Sequence, residues 1–236
     1  MKEISMDFFR DEVRNGFFIP TAVKQAWAAQ LQVLDVIDTI CRKHGITYFA
    51  DWGTILGTVR HGGYVPWDDD MDICMKREDY TRFKEAAKTE LPKDFRIHDY
   101  EHQEDHWLFL SRVANSVHIN FEPEHMKQFH NFPYIAGIDI FVLDYLYKDE
   151  QQEKQRCEEV KHIIAVADSI IAGEIAQPVK EANLIQLEEK YHKTFNRKLD
   201  NRHMGIELYR LAEEQMARVS EEQSDRMAQI FPLGLL

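Results

Sequence analysis

Four aspartates fall within five residues in the stretch GGYVPWDDDMDICMKREDY, which runs from Gly62 to Tyr80. Carboxylates this close raise one another's pKa, so Asp68, Asp69, Asp70 and Asp72 need a compensating cation to stay ionised together. A calcium loop built on Asp68, Asp70 and Asp72 would also need Gly next and Glu at its twelfth position. Ile73 and Asp79 stand there instead, and Lys76 takes the ninth position. A prenyl-diphosphate motif built on Asp68, Asp69 and Asp72 would need a helix to bring them to one side, and Pro66 and the alternating pattern oppose one. The third arrangement puts Asp70 and Asp72 on a strand, where a period of two points both carboxylates to one face. That geometry suits Mg²⁺, which keeps its remaining positions for water and substrate phosphate. The plain alternative is a solvated acidic turn.

Two other stretches favour the metal. Gly53-Thr54 sits at an expected strand-to-helix turn, where free amide groups and the positive helix end attract phosphate. Asp139 lies inside the apolar run IAGIDIFVLD, and a carboxylate in a buried strand is costly unless paired or metal-bound. Asp144, nearer the end of that run, is the alternative third ligand and is expected to be a cap or turn residue.

The elements that must hold these residues are legible from periodicity. Val23, Trp27, Leu31, Leu34, Ile37 and Cys41 recur at helical steps, with Thr21 as cap and Gly45 as stop. ITYFADW predicts a strand, GTILGTVRHGG a tight turn into a short helix, and REDYTRFKEAAKTEL a second helix. Further strands are expected at FRIHDY, WLFLSRVA, VHINFE and YIAGIDIFVLDYL. Beyond Lys148 the chain turns charged and helical, with breaks at Pro178 and near 196–202. Val160, Ile163, Ile164, Ala167, Ile170 and Ile171 form one apolar helix face. The expected organisation is a mixed α/β core over 1–147 and a helical extension over 148–236.

The chain of 236 residues carries 41 acidic against 29 basic residues, a formal charge of −12, which argues against a nucleic-acid groove. Its three scattered cysteines fit neither a disulfide framework nor a cysteine-based zinc site. The charged start lacks the apolar core of a signal peptide, and no run reaches membrane-spanning length. A cytoplasmic protein is expected, acting at the inner membrane surface if its acceptor is lipid-linked.

YFADWGTILGTVRHGGYVPWDDDMDICMKREDYTRF, with GIDIFVLDYL behind it, closely resembles the LicD family of phosphocholine transferases, relatives of the fukutin-type transferases. The resemblance implies an α+β fold, a nucleotidyltransferase-like mixed sheet with flanking helices. It also implies a Mg²⁺- or Mn²⁺-dependent transfer of a phospho-alcohol group from a CDP-activated donor, foremost CDP-choline, to a glycan hydroxyl. In that family's terms Gly53-Thr54 is the phosphate-binding turn, Asp70, Asp72 and Asp139 hold the metal, and Asp68 is the base, with Asp69 as its alternative. The family's aromatic-rich C-terminal block is not found and the chain stops at IFPLGLL. Donor binding is therefore expected to be stronger than acceptor transfer, and a second copy could cover the apolar tail. The rival expectation is a non-catalytic nucleotide- and metal-binding remnant.

Arg60 and His61 are expected to neutralise the donor diphosphate, with Arg77 a weaker candidate and Trp67 a wall of the site. A choline headgroup would want aromatic faces, for which Trp52, Tyr64, Trp67, Tyr100 and Trp107 are available. His98, His102 and His106 repeat at four-residue steps but sit in strand-like surroundings, so a histidine metal face is not expected.

Overall fold

The computed structural model describes residues 4–101 and 109–230. Two compact units emerge, one of Met1–His102 with Leu110–Val142, the other of Gln103–Phe109 with Leu143–Leu236.

The first unit opens with a hairpin, β1 (Glu12–Arg14) and β2 (Phe17–Ile19). Asn15 and Gly16, both at positive φ, make its turn, the pair that a two-residue hairpin favours. Helix α1 (Thr21–His44) follows. Thr21 is its first residue rather than its cap, and the Thr21 amide donates to Asp11. Gly45 ends α1 as expected, in the left-handed conformation, its amide returning to the last turn. Then come β3 (Tyr48–Ala50), α2 (Trp52–His61), β4 (Asp72–Lys76), α3 (Arg77–Glu90), β5 (Arg96–His98), β6 (Ser111–Ala114), α4 (Pro123–Gln128) and β7 (Gly137–Tyr145). The strands form one sheet in the order β3-β4-β7-β6-β5, flanked by helices.

The core lies where α1 and α3 meet this sheet. Val33, Ile37, Ile40, Ile73, Met75, Phe83, Ile138 and Ile140 are all buried there. Strand β7 alternates strictly, with Ile138, Ile140 and Val142 inward and Asp139 and Phe141 on the other face. This alternation puts Asp139 beside the acid loop and out of the core.

Two further local expectations fail. VHINFE is not a strand, because small polar side chains satisfy its backbone locally. Ser116 Oγ donates to the His118 carbonyl and accepts from its amide, and Asn120 accepts from the Glu122 amide. Asp144 is no cap or turn residue either: it lies within β7, buried, opposite Ala228.

In the second unit, which takes the end of β7 from Leu143 on, α5 (Glu150–Ile171), α6 (Gln177–Tyr191) and α7 (Asn201–Met216) precede β8 (Met227–Ala228), which pairs with Asp144 and Tyr145. The predicted stripe on α5 is buried at Val160, Ile163, Ala167 and Ile170. Gly205 of α7 allows close approach, since a Cβ there would stand 2.3 Å from an Ile171 side-chain carbon. Among the described residues no helix is long and apolar enough to cross a membrane.

Candidate active site

Strand β3 and helix α2 meet at Asp51, whose carboxylate caps the helix by accepting from the Trp52 amide at 2.9 Å. Thr54, in the first turn of α2, accepts from the Asp72 amide through Oγ1 at 2.8 Å. The phosphate-binding turn expected from the sequence therefore also fixes the start of β4. Asp68 closes over it, and a Cβ on Gly53 would stand 2.1 Å from Asp68 Oδ2, so any larger residue would push that carboxylate aside.

The loop carrying Asp68, Asp69 and Asp70 is held by its carbonyls. From α1, Trp27 Nε1 donates to the Asp68 carbonyl at 2.9 Å, and Gln30 Nε2 donates to the Asp69 carbonyl at 2.8 Å. Tyr64 stacks on Trp27 with ring centroids 4.7 Å apart and donates to Gln30. Helix α1 thus clamps the backbone through its carbonyls and takes up none of the carboxylates. Carboxylate oxygens of Asp68, Asp69 and Asp70 come within 4.8 Å of one another. Three hard oxygen donors at that spacing suit Mg²⁺ or Mn²⁺.

Asp70 lies just before β4 rather than on it, so the expected strand pair with Asp72 is not formed as such. The two still share one field. Burial, then Asp68, Asp69 and Asp139, push the Asp70 carboxyl up to about 6. Burial, then Asp70, Asp139, Asp51 and Asp68, push Asp72 up to about 7. The same charges, after burial, raise the Tyr64 phenol. Asp51 is thus a sixth acid of the site, and it also holds up the Cys74 thiol, which burial first and Asp51 second push to about 12.

Asp139 differs. Both its oxygens are taken by Arg112 of β6, directly across the sheet, with Nε to Oδ1 at 2.6 Å and Nη2 to Oδ2 at 2.7 Å. The expectation that a carboxylate in this strand must be paired or metal-bound is met here by a guanidinium. Hydrogen bonding to Asp139 raises Arg112 above its ordinary value against the effect of burial, and Asp70 and Asp72 add to it.

The remaining candidates gather elsewhere. Arg60 Nε donates to His61 and its guanidinium lies 5.8 Å from the Trp67 ring centre, with Phe17 on the same indole. This cluster sits at the far end of α2, roughly 9 Å along the helix from Thr54 at the usual rise per residue. Arg77 opens α3 over the Tyr80 ring. Of the described aromatic residues named for choline, Trp52 is near Phe141, Tyr64 is on Trp27, and Tyr100 is buried. Trp107, His102 and His106 lie outside the described residues. Beside Gly53, Asp68 and Asp70 opens a cavity of about 240 Å³, walled by Leu31, Leu34, Tyr48 and Ile73.

Fold and site together define a mixed α/β protein with a carboxylate-rich pocket at a helix N-terminus. Residues 45–165, half of the chain, match the family described as LicD/FKTN/FKRP, nucleotidyltransferase domain, and the chain belongs to that family. It is similar to the lipopolysaccharide cholinephosphotransferase LicD of Haemophilus influenzae, 43% identical over 53 residues that make up 22% of this chain and 20% of the relative. It is also similar to uncharacterised proteins of Rickettsia typhi (39% over 54 residues, 23% of this chain and 18% of the relative) and Rickettsia prowazekii (42% over 48 residues, 20% and 18%). The matched stretches span about a fifth of each relative's length.

Sequence reasoning missed four contributors: Arg112, Asp51, Gln30 and the clamping role of Trp27. Only Asp51 carries a local signal, an acid two residues before the turn at Gly53 that is expected to lead into a helix.

Proposed function

We propose that the chain transfers phosphocholine from CDP-choline to a hydroxyl of a lipid-linked cell-surface glycan or its precursor, releasing CMP. The observation that carries this reading is the acid loop, whose charges are left uncompensated beside the N-terminus of α2. The cholinephosphate and the lipopolysaccharide in the name of the Haemophilus relative support the choice of donor group and acceptor.

Asp70 and Asp72 would hold Mg²⁺ or Mn²⁺, which when bound neutralises charge on the donor diphosphate. The acceptor oxygen forms a bond to the choline-bearing phosphorus as the bond from that phosphorus to the CMP oxygen breaks. The hydroxyl proton passes to Asp68, or to Asp69 at the more exposed edge. The Gly53 and Thr54 amides favour the negative charge at the reacting phosphate. Arg60, His61 and Trp67, at the other end of α2, would meet a more distant part of the substrates, and Arg77 remains a candidate at the start of α3. Positioning and charge neutralisation supply most of the rate, as phosphoryl transfer needs little covalent help.

The test is CMP release from CDP-choline in Mg²⁺, with and without a hydroxylated glycan. CDP-ribitol and CDP-glycerol serve as competing donors. Acceptor-stimulated CMP release from CDP-choline is expected. Donor binding with no release on any acceptor would replace this reading with the non-catalytic one.

A further inference from the structure

Arg112 and Asp139 face each other across β6 and β7 in direct register, joined by two parallel hydrogen bonds. The arrangement is built to hold the arginine side chain. Gly137, two residues before Asp139 on the same face of β7, leaves the space that the stem of Arg112 fills, since a Cβ there would stand 3.0 Å from Arg112 Cδ and 3.1 Å from Cγ. The carboxylate takes Nε and Nη2, so Nη1 is left without a hydrogen bond among the described residues. The exposures differ in the same sense: the Asp139 side chain is 17% exposed and Arg112 51%. The acid is inside and fully engaged, and the cation is outside and half engaged.

Two roles can be weighed for such a pair. As a metal ligand, Asp139 would have to give up hydrogen bonds of the strong bidentate kind and leave a guanidinium unpaired next to the incoming cation. As a tether, it fixes Nε and Nη2 of a half-exposed Arg112 and leaves Nη1 unused by Asp139. The second role uses every contact as it stands.

We propose that Arg112 is the donor's phosphate receptor and that Asp139 is a positioning residue for it rather than a metal ligand. This rests on the reading of the site as one for a nucleoside diphosphate donor. A planar fork of N–H groups beside a carboxylate loop gives a diphosphate a fixed cation on one side, while the acid loop serves the other through its metal.

The experiment uses the full chain with Arg112→Gln, Arg112→Lys, Asp139→Asn and the double variant Arg112→Gln/Asp139→Asn, each checked for an unchanged far-UV spectrum. Mn²⁺ alone is titrated by electron paramagnetic resonance, and pyrophosphate and CDP-choline by calorimetry at saturating Mg²⁺. Arg112→Gln is expected to weaken both anions about 30-fold or more and leave Mn²⁺ affinity unchanged or higher, with Arg112→Lys in between. Asp139→Asn is expected to leave Mn²⁺ within about twofold and weaken the anions several-fold. The double variant should be no worse than Arg112→Gln alone, because Asp139 acts through Arg112. A tenfold or greater loss of Mn²⁺ affinity in Asp139→Asn would make Asp139 a ligand and overturn the assignment. So would full CDP-choline affinity in Arg112→Gln, which would leave the donor reading standing. If the parent binds pyrophosphate through Arg112 but not CDP-choline, the donor reading fails and the role of Arg112 stands.

Discussion

Carboxylates are used in opposite ways by the two units. In the helical unit each strongly placed glutamate has a cation. Glu153 meets Arg156, Glu159 meets Lys190 and Arg218, and Glu188 meets Arg197. All three carboxyls lie below their ordinary value: Glu153 and Glu159 through pairing that overcomes burial, Glu188 through its hydrogen bonds to Arg197 and the Phe195 amide. In the acid loop of the sheet unit Asp70 and Asp72 are pushed the other way, by burial and by one another. Paired acids hold a fold together, whereas the proposed metal site depends on acids that no cation among the described residues takes up. The Asp139–Arg112 pair is internally paired like the first kind and sits among the second.

Removing an acid should therefore have opposite consequences in the two units. Asp72→Asn is expected to cut metal-supported CMP release on the order of 10²–10³-fold, the scale of losing one electrostatic contact to a transition state. The same variant, like Asp70→Asn, should match or exceed the parent's melting temperature without metal, because a repelling charge has gone. Near-parental turnover in both variants would end the contrast.

Breaking a pair in the helical unit tests the other side. Arg156 is fully buried, donating to Glu153 at 2.6 Å and to the Met216 carbonyl at 2.8 Å. Arg156→Met should destabilise by about 3–5 kcal/mol in urea unfolding, since it strands a half-buried carboxylate. Adding Glu153→Gln should recover much of that loss.

Gly53→Ala sharpens the comparison within the site. The new methyl would displace the free end of Asp68 rather than backbone, so stability is expected to change by less than about 1 kcal/mol. CMP release should fall roughly tenfold or more, because the displaced group is the proposed base.

The smallest effect is in pH. Asp70 and Asp72 hold protons more tightly folded than unfolded, so their contribution to stability is complete below their ordinary value and is lost as pH rises through about 6 and about 7. The lowered glutamates contribute above their ordinary range, and that contribution is lost as pH falls through their folded values. Melting temperature without metal should thus decline from pH 5 to pH 8, flatten in excess Mg²⁺, and fall separately in strong acid. A profile that is flat from pH 5 to pH 8 in both conditions would count against the uncompensated loop.

Much of this could be read from the chain because it depends on local periodicity. Helices α1, α2 and α3 and strand β7 follow from spacing, and the aspartates announce themselves by density. Asn15-Gly16 is an equally local hairpin signal, set between runs too short and too charged for alternation to mark them as strands. Arg112 was unreadable for a different reason: its importance depends on register across β6 and β7, which no run of residues states. Trp27 and Gln30 were hidden because their partners are backbone carbonyls, which every residue has. VHINFE misled because alternation predicts a strand only where side chains leave the backbone free to pair.

The bond from Trp27 to the Asp68 carbonyl also makes the loop visible. Among the described tryptophans this indole is the buried one, stacked nearly parallel on Tyr64, while Trp52 and Trp67 are more than half exposed. A buried indole held in one asymmetric environment contributes to near-ultraviolet circular dichroism, and averaging in solvent weakens the signal of the exposed indoles. Any cation that draws Asp68 inward pulls on the carbonyl end of that bond. The protein therefore carries its own chromophore for occupancy of the acid loop, readable without label, substrate or turnover.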